Sequence, residues 1–227
     1  MEKSRILGVI LAGGGSSRFG SDKALAPLGG KSLLSRVIAR AKPQVGQLVL
    51  SGFARPGMDL PLVRDAEPEQ GPLAGVLSAL RWAKYSSLDV VATFACDTPF
   101  FPDDTVDCLV RHLTPDAGVA VARSGGATHY AFAVWRTASL ALLETSYALD
   151  MRSLRQAQIA VRSVDVEFSP TGPEGSAFFN INTPADLAAA ENWLAKTPID
   201  NATRKPSSAI RRSGYRFAVR LRENQGI

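Results

Sequence analysis

Thirteen residues carry most of the chemical information in this chain: Leu11-Ala12-Gly13-Gly14-Gly15-Ser16-Ser17-Arg18-Phe19-Gly20-Ser21-Asp22-Lys23. The apolar run 6–11 leads into them and reads as a buried strand. Glycine lets backbone N–H groups turn inward and approach an anion closely. Arg18 and Lys23 place positive charge where a polyphosphate would lie. The chemistry this suits is the holding of a nucleotide's phosphates.

The spacing excludes two common phosphate loops. A Walker A loop requires G-x-x-x-x-G-K-[ST]. Gly30-Lys31-Ser32 supplies its end, but Leu25 stands where the first glycine belongs. A dinucleotide fingerprint requires G-x-G-x-x-G. Gly13 and Gly15 fit it, Arg18 takes the third glycine position, and the second strand ends in Ser51 rather than an acidic residue. An ordinary βα turn would leave the three glycines and two cations without a purpose.

Other candidates end other apolar runs. Asp97, in Cys96-Asp97-Thr98-Pro99, follows a strand pattern, where a carboxylate needs partners to offset desolvation. It suits Mg²⁺, which takes one or two carboxylates together with substrate phosphates. Capping the helix after Pro102 is a role better served by Asp103 and Asp104. Asp65 ends the run Val63-Arg64-Asp65. Gly71-Pro72-Leu73-Ala74-Gly75 turns tightly into a helix whose first N–H groups suit a ribose or base. For Gly75, close packing is the plainer alternative. Asn180 and Asn182 share one side of an extended segment, and each amide both donates and accepts. Asn182-Thr183-Pro184 equally reads as a helix cap, with Asp186 complementing the helix dipole. His129-Tyr130 opens a strand, where the histidine fits either a ligand contact or a surface position.

These residues need a frame. Strand patterns at 6–11, 47–51, 61–64, 89–95, 117–122, 130–136, 162–166 and 177–180 interleave with helix patterns at 32–41, 71–84, 103–113, 138–147, 152–158 and 184–195. The interleaving predicts an α/β sandwich with a mainly parallel sheet and helices on both faces. Ligands bind such sheets beyond the carboxyl ends of the strands. The glycine-rich loop, Asp65, Asp97 and the two asparagines are therefore expected on one rim.

Composition narrows the class further. The chain has 227 residues, 45% hydrophobic and 21% charged, which suits one soluble domain. No apolar run nears the ~20 residues of a membrane helix. The opening residues enter a strand and then three glycines rather than a secretory signal, so a cytoplasmic location is expected. Two cysteines, Cys96 and Cys108, and two histidines, His112 and His129, have no metal-site spacing. Cys96 and His112 read as structural. Residues 197–227 hold seven basic and two acidic residues, while 1–196 hold nineteen of each. The net charge of +5 belongs to the tail and does not mark the domain as a nucleic-acid binder. The expected division is a domain over 1–196 and a flexible basic tail over 197–227. The alternating stretch 215–222 could add an edge strand.

The pattern L-A-G-G-x-S-x-R-x-G-x-D-K resembles the signature of the nucleoside-diphospho-sugar transferase superfamily. Within it, the chain is most similar to the molybdenum cofactor guanylyltransferases, over about residues 6–195. Gly71-Pro72-Leu73-Ala74-Gly75, Cys96-Asp97-Thr98-Pro99-Phe100 and Phe179-Asn180-Ile181-Asn182-Thr183-Pro184 fall in that family's order and spacing. The resemblance implies a Rossmann-like nucleotidyltransferase fold. It implies transfer of GMP from GTP to molybdopterin-bound molybdenum, with release of pyrophosphate and dependence on Mg²⁺. It implies that Leu11, Ala12 and Gly13, with Gly14 and Gly15, surround the guanine nucleotide, and that Arg18 and Lys23 meet its phosphates. Asp65, Ser51 and Gly75 would contact the nucleoside, Asp97 would bind Mg²⁺, and Asn180 and Asn182 would lie near the pterin. Cofactor-carrier or acceptor proteins would be its partners, and a monomer or weak oligomer its state. Ser51 stands where relatives can carry Asn, and Tyr130 where proline is common. The alternatives are a sister enzyme using CTP on molybdopterin or another NTP on a sugar or polyol phosphate, and a non-catalytic nucleotide-binding or tail-mediated interaction protein.

Overall fold

The computed structural model describes residues 1–13, 22–55, 58–63, 71–196 and 220–221. The strands are β1 (Ile6–Ala12), β2 (Pro27–Leu28), β3 (Lys31–Ser32), β4 (Gln47–Gly52), β5 (Leu62–Val63), β6 (Val90–Ala95), β7 (Val119–Ser124), β8 (Ala127–Arg136), β9 (Ser163–Phe168) and β10 (Arg220–Leu221). The helices are α1 (Leu33–Ala41), α2 (Pro72–Tyr85), α3 (Thr105–His112), α4 (Leu140–Ala148), α5 (Leu154–Ala160) and α6 (Pro184–Lys196).

One sheet runs β10-β9-β7-β8-β6-β1-β4-β5. Four of its pairings are parallel: β1 with β4 and β6, β4 with β5, and β7 with β9. β8 runs antiparallel to β6 and β7. β10 pairs antiparallel with β9, Arg220 opposite Asp165. β2 and β3 form a separate hairpin.

Side chains alternate across the sheet, and each face takes its own helices. From β1, Ile6 and Ile10 point into a core with Leu34 and Val37 of α1 and Val106 and Leu109 of α3. Leu7 and Val9 point the other way, against Leu73, Val76, Leu77 and Leu80 of α2, Leu143 of α4 and Leu154 of α5. The result is the expected three-layer sandwich. Each of these fully buried aliphatic side chains contributes about 1.5–3 kcal/mol. Local signals set the helix starts. Ser32 Oγ accepts the Ser35 N–H at 3.1 Å and Ser153 Oγ accepts the Gln156 N–H at 3.2 Å.

One local expectation fails, and one element is unforeseen. Residues 177–180 form no strand. Ala177, Phe178 and Phe179 are buried, and Phe178 sits among the rings of His129, Phe132 and Phe168. The apolar run marks ring packing, which periodicity alone does not separate from a ladder. The β2–β3 hairpin was not expected, because two-residue strands carry no readable pattern. A third small core explains it: Leu28 and Leu33 pack with Phe100, Phe179, Ile181 and Ala190, under Trp193 of α6.

Candidate active site

A cleft of about 1070 Å³ opens beyond the carboxyl ends of β1, β4 and β6. Leu11, Ala12 and Gly13 line it from β1, Ser51 from β4, and Ala95, Cys96 and Asp97 from β6. Gly71 and Gly75 reach it from the start of α2, and Asn180 from the segment before α6. Of the sequence-derived candidates, Gly14, Gly15, Arg18 and Asp65 lie outside the described residues. Leu11, Ala12, Gly13, Lys23, Ser51, Gly75, Asp97 and Asn180 line the cleft, and Asn182, which does not, meets it through a hydrogen bond from Lys23.

Lys23 and Asp97 are the centre of the arrangement. Lys23 Nζ lies 2.6 Å from Asp97 Oδ2 and donates to Asn182 Oδ1 at 2.7 Å. The lysine and aspartate side chains are each 16% exposed, so their attraction is screened less than that of a surface pair. Thr98 Oγ1 donates to Asp97 Oδ1 at 3.2 Å. The Ile181 N–H donates to the Asp97 carbonyl at 3.0 Å, which ties the Asn180–Asn182 segment to the end of β6. Ile181 is fully buried between two exposed asparagines, so the expected alternation holds without a strand.

The cap of α6 resolves the two readings of Asn182. Thr183 Oγ1 accepts the Asp186 N–H at 3.2 Å, and Asp186 Oδ2 accepts the N–H groups of Asn182 and Thr183, each at 2.8 Å. This is a reciprocal capping box. Thr183 and Asp186 cap the helix, and the Asn182 amide turns to Lys23. Burial works against ionisation of Asp186, but these N–H donors prevail and hold its carboxyl below the usual range.

At Gly75 the close-packing reading holds. A Cβ there would press on Ser51 Oγ and come 3.1 Å from Leu11 Cδ2, so the close approach of α2 to β1 and β4 requires glycine. The same residue lines the cleft. Cys96 also lines it, but burial pushes its thiol up to about 12, which leaves it unreactive at neutral pH. His112 Nδ1 donates to the Cys108 carbonyl at 2.7 Å within α3, a structural role. His129 is not a lining residue. Its ring packs 4.8 Å from Phe178, and burial holds its pKa below the ordinary value.

Several lining residues escaped the sequence reading. Arg55 meets Asp22 and two backbone carbonyls beside the cleft. Nothing in the sequence marks an arginine past a strand end as the partner of a residue 33 positions earlier. Arg152 and Arg155 flank Ser153, the cap of α5. Basic residues at a helix start oppose the dipole, a signal that was available. Tyr130 and Ala131 enter the cleft through an irregularity in β8. Ala122 pairs with His129 and Val121 with Ala133, so residues 130–132 have no partners on β7. Gln158 Nε2 holds the Tyr130 carbonyl at 2.7 Å. Among the described lining residues, four cations (Lys23, Arg55, Arg152, Arg155) face two carboxylates (Asp22, Asp97). That balance suits an anionic ligand.

Comparison with known proteins places the chain in a family. The family model described as a MobA-like NTP transferase domain matches residues 8–163. A molybdenum cofactor guanylyltransferase of Rhodobacter capsulatus is 40% identical over 195 residues, covering 84% of this chain and 97% of its own length. One from Rhizobium meliloti (strain 1021) is 41% identical, covering 82% and 90%. Among solved structures, molybdopterin-guanine dinucleotide biosynthesis protein A from Archaeoglobus fulgidus superposes with a TM-score of 0.69 at 21% identity, covering 84% of this chain and 99% of its own. A CMP:2-keto-3-deoxy-manno-octonic acid synthetase complexed with CTP shares the fold at a TM-score of 0.64 and 16% identity, covering 84% and 98%.

Proposed function

This chain belongs to the molybdenum cofactor guanylyltransferases, within the MobA-like NTP transferases, and we propose that it transfers GMP from GTP to the phosphate of molybdopterin-bound molybdenum cofactor. The observation that carries the reading is the Lys23–Asp97 pair in a cleft at the strand ends, with Asn182 held to Lys23 at its edge. An oxygen of the acceptor phosphate attacks the α-phosphorus of GTP. The bond from that phosphorus to the bridging oxygen breaks, and its electron pair leaves with pyrophosphate. The acceptor oxygen is already anionic, so no strong general base is needed, and the absence of a catalytic histidine is no objection.

Positioning and charge supply the catalysis. Leu11, Ala12, Gly13, Ser51 and Gly75 form the side of the cleft at β1, β4 and the start of α2, which suits the guanosine. Asn180 and Asn182, beyond β6, face the acceptor. Lys23 stands between the two and neutralises phosphate charge. Arg18, with Gly14, Gly15 and Asp65, would complete the nucleotide site from outside the described residues. No group of three metal-ligating side chains occurs among the described residues. Mg²⁺ needs only one or two carboxylates besides phosphate and water oxygens, so Asp97 fits it. When bound there, Mg²⁺ would offset the charge that builds on the leaving pyrophosphate. GTP and molybdopterin are then the substrates, with carrier or acceptor proteins as further partners and the cytoplasm as the place of action. No described helix is long and apolar enough to cross a membrane.

Calorimetric titration of GTP, CTP and ATP with Mg²⁺, paired with pyrophosphate release in the presence of molybdopterin, tests the reading. GTP-dependent release is expected. A clear preference for CTP reassigns the chain to a cytidylyl enzyme, and binding without release reassigns it to a nucleotide-binding protein.

A further inference from the structure

Arg55 makes the densest side-chain network beside the cleft. Its Nε donates to Asp22 Oδ2 at 2.6 Å, and Nη2 donates to Asp22 Oδ1 at 3.3 Å and to the Ala12 carbonyl at 3.0 Å. Nη1 donates to the Phe53 carbonyl at 3.2 Å. The Arg55 side chain is 7% exposed, so its charge is nearly removed from water and must be matched by these groups. Asp22 also holds backbone: its Oδ1 accepts the Ala24 N–H at 3.1 Å and caps the short 3₁₀ helix Lys23–Leu25.

Two of the attachment points flank the glycine-rich segment and the third follows β4. Ala12 ends β1 on the near side of the glycine-rich segment, and Asp22 begins the chain on its far side. Phe53 follows β4. The ends of β1 and β4 approach so closely that a Cβ on Gly52 would lie 2.8 Å from the Ala12 carbonyl carbon, and Gly52 has φ 112. This approach delivers Arg55 to the gap between Ala12 and Asp22. The residue after Asp22 is Lys23, whose ammonium reaches Asp97 and Asn182.

We infer that Arg55 is a positioning residue for nucleotidyl transfer: its guanidinium joins the two flanks of the glycine-rich segment and sets the place of Lys23 in the cleft. Arg55 acts through Asp22 and Ala12 and leaves phosphate contact to Lys23. The role needs a planar fork with several fixed donors. A lysine ammonium can match Asp22, but it cannot serve the Ala12 and Phe53 carbonyls in the same geometry. The inference rests on the guanylyltransferase reading for the choice of nucleotide only.

The test is steady-state pyrophosphate release, with kcat and KM for GTP, on the full chain and on Arg55→Ala, Arg55→Gln, Arg55→Lys, Asp22→Asn and the Arg55→Ala/Asp22→Asn pair, alongside melting temperatures. Arg55→Ala should lower kcat/KM at least about tenfold, and Arg55→Lys should fall between it and wild type. Added guanidinium at non-denaturing concentration should restore part of the Arg55→Ala activity. The double variant should be little worse than Arg55→Ala alone, because both changes break one network. Unchanged kcat/KM in Arg55→Ala and Arg55→Gln overturns the inference. So does a loss that matches the fall in melting temperature, adds fully to that of Asp22→Asn and resists guanidinium, since that describes a merely structural arginine. A wild type that turns over CTP in place of GTP overturns the guanylyl reading instead, and the Arg55 series is then scored with CTP.

Discussion

Lys23 Nζ lies 2.6 Å from Asp97 Oδ2, across 74 residues of sequence. Each of these groups therefore occupies the place of the other's expected ligand. The ammonium stands where a cation would meet the carboxylate, and the carboxylate stands where phosphate would meet the ammonium. On the proposed reading nucleotide binding would rearrange this pair, so substitutions at its two ends should have different consequences.

Asp97→Asn keeps the shape of the side chain and removes its charge. The fold should persist, with Thr98 and Asn182 still near. Metal-dependent turnover should fall by most of its value, because a metal's charge stabilisation is worth several kcal/mol. Pyrophosphate release across a Mg²⁺ titration, with circular dichroism as the control, checks this. Full turnover in a folded variant would remove Asp97 from the reaction.

Lys23→Ala would remove the proposed charge-assisted phosphate contact, at an expected cost of about 1.5–3 kcal/mol in nucleotide binding. It also takes the ammonium off Asp97. Divalent cation binding without nucleotide should then strengthen while GTP binding weakens. Calorimetry with Mn²⁺ alone and with GTP reads the two effects separately. A variant that loses both equally would mean that Lys23 supports the local structure rather than the ligand.

Gly75→Ala drives a methyl group into Ser51 Oγ, with Leu11 behind it. Overpacking of this kind costs about 1–3 kcal/mol. It should lower the melting temperature and weaken GTP binding together, since the crowded residues line the cleft. Ser51→Gly placed on top should recover part of both. An unperturbed Gly75→Ala protein would show that α2 can shift away from β1 and β4 freely.

His129 gives a pH signature. Burial holds its imidazole pKa below the ordinary 6.5, so between those two values the unfolded chain binds more protons than the folded one. Stability is fully present above 6.5 and declines as pH falls towards the depressed value. The melting temperature should drop as pH falls through 6.5, and by less in His129→Gln. The depressed carboxyls of Asp22 and Asp186 titrate below this window and do not contribute to it. Equal drops in both proteins would assign the slope to other groups.

A chain ending at Lys196 removes the basic excess and the short β10 pairing with β9. We expect it to remain folded and to bind GTP as the full chain does, because the described lining residues all precede Lys196. Unfolding on truncation would make the tail an integral part of the sheet.

The sequence by itself determined the frame. Apolar runs with period two or 3.6 record which face is buried, and this pattern survives without any long-range knowledge. That is why β1, β4 and β6 and the long helices were legible. It also singled out Asp97, because a polar side chain at the end of a buried strand stands out against its neighbours, and it named Lys23, Asn180 and Asn182 as candidates from their motifs. Tertiary structure alone decided which polar residues meet. Nothing local pairs Arg55 with Asp22, Gln158 with the Tyr130 carbonyl, or Lys23 with Asn182. Each contact depends on where the ends of distant elements arrive. It likewise decided that residues 177–180 are a ring-packed turn rather than a strand, since burial leaves the same mark on composition in either case. Periodicity encodes the face a residue shows to the core, but the partner it meets at a rim is set by the crossing of chains far apart in sequence.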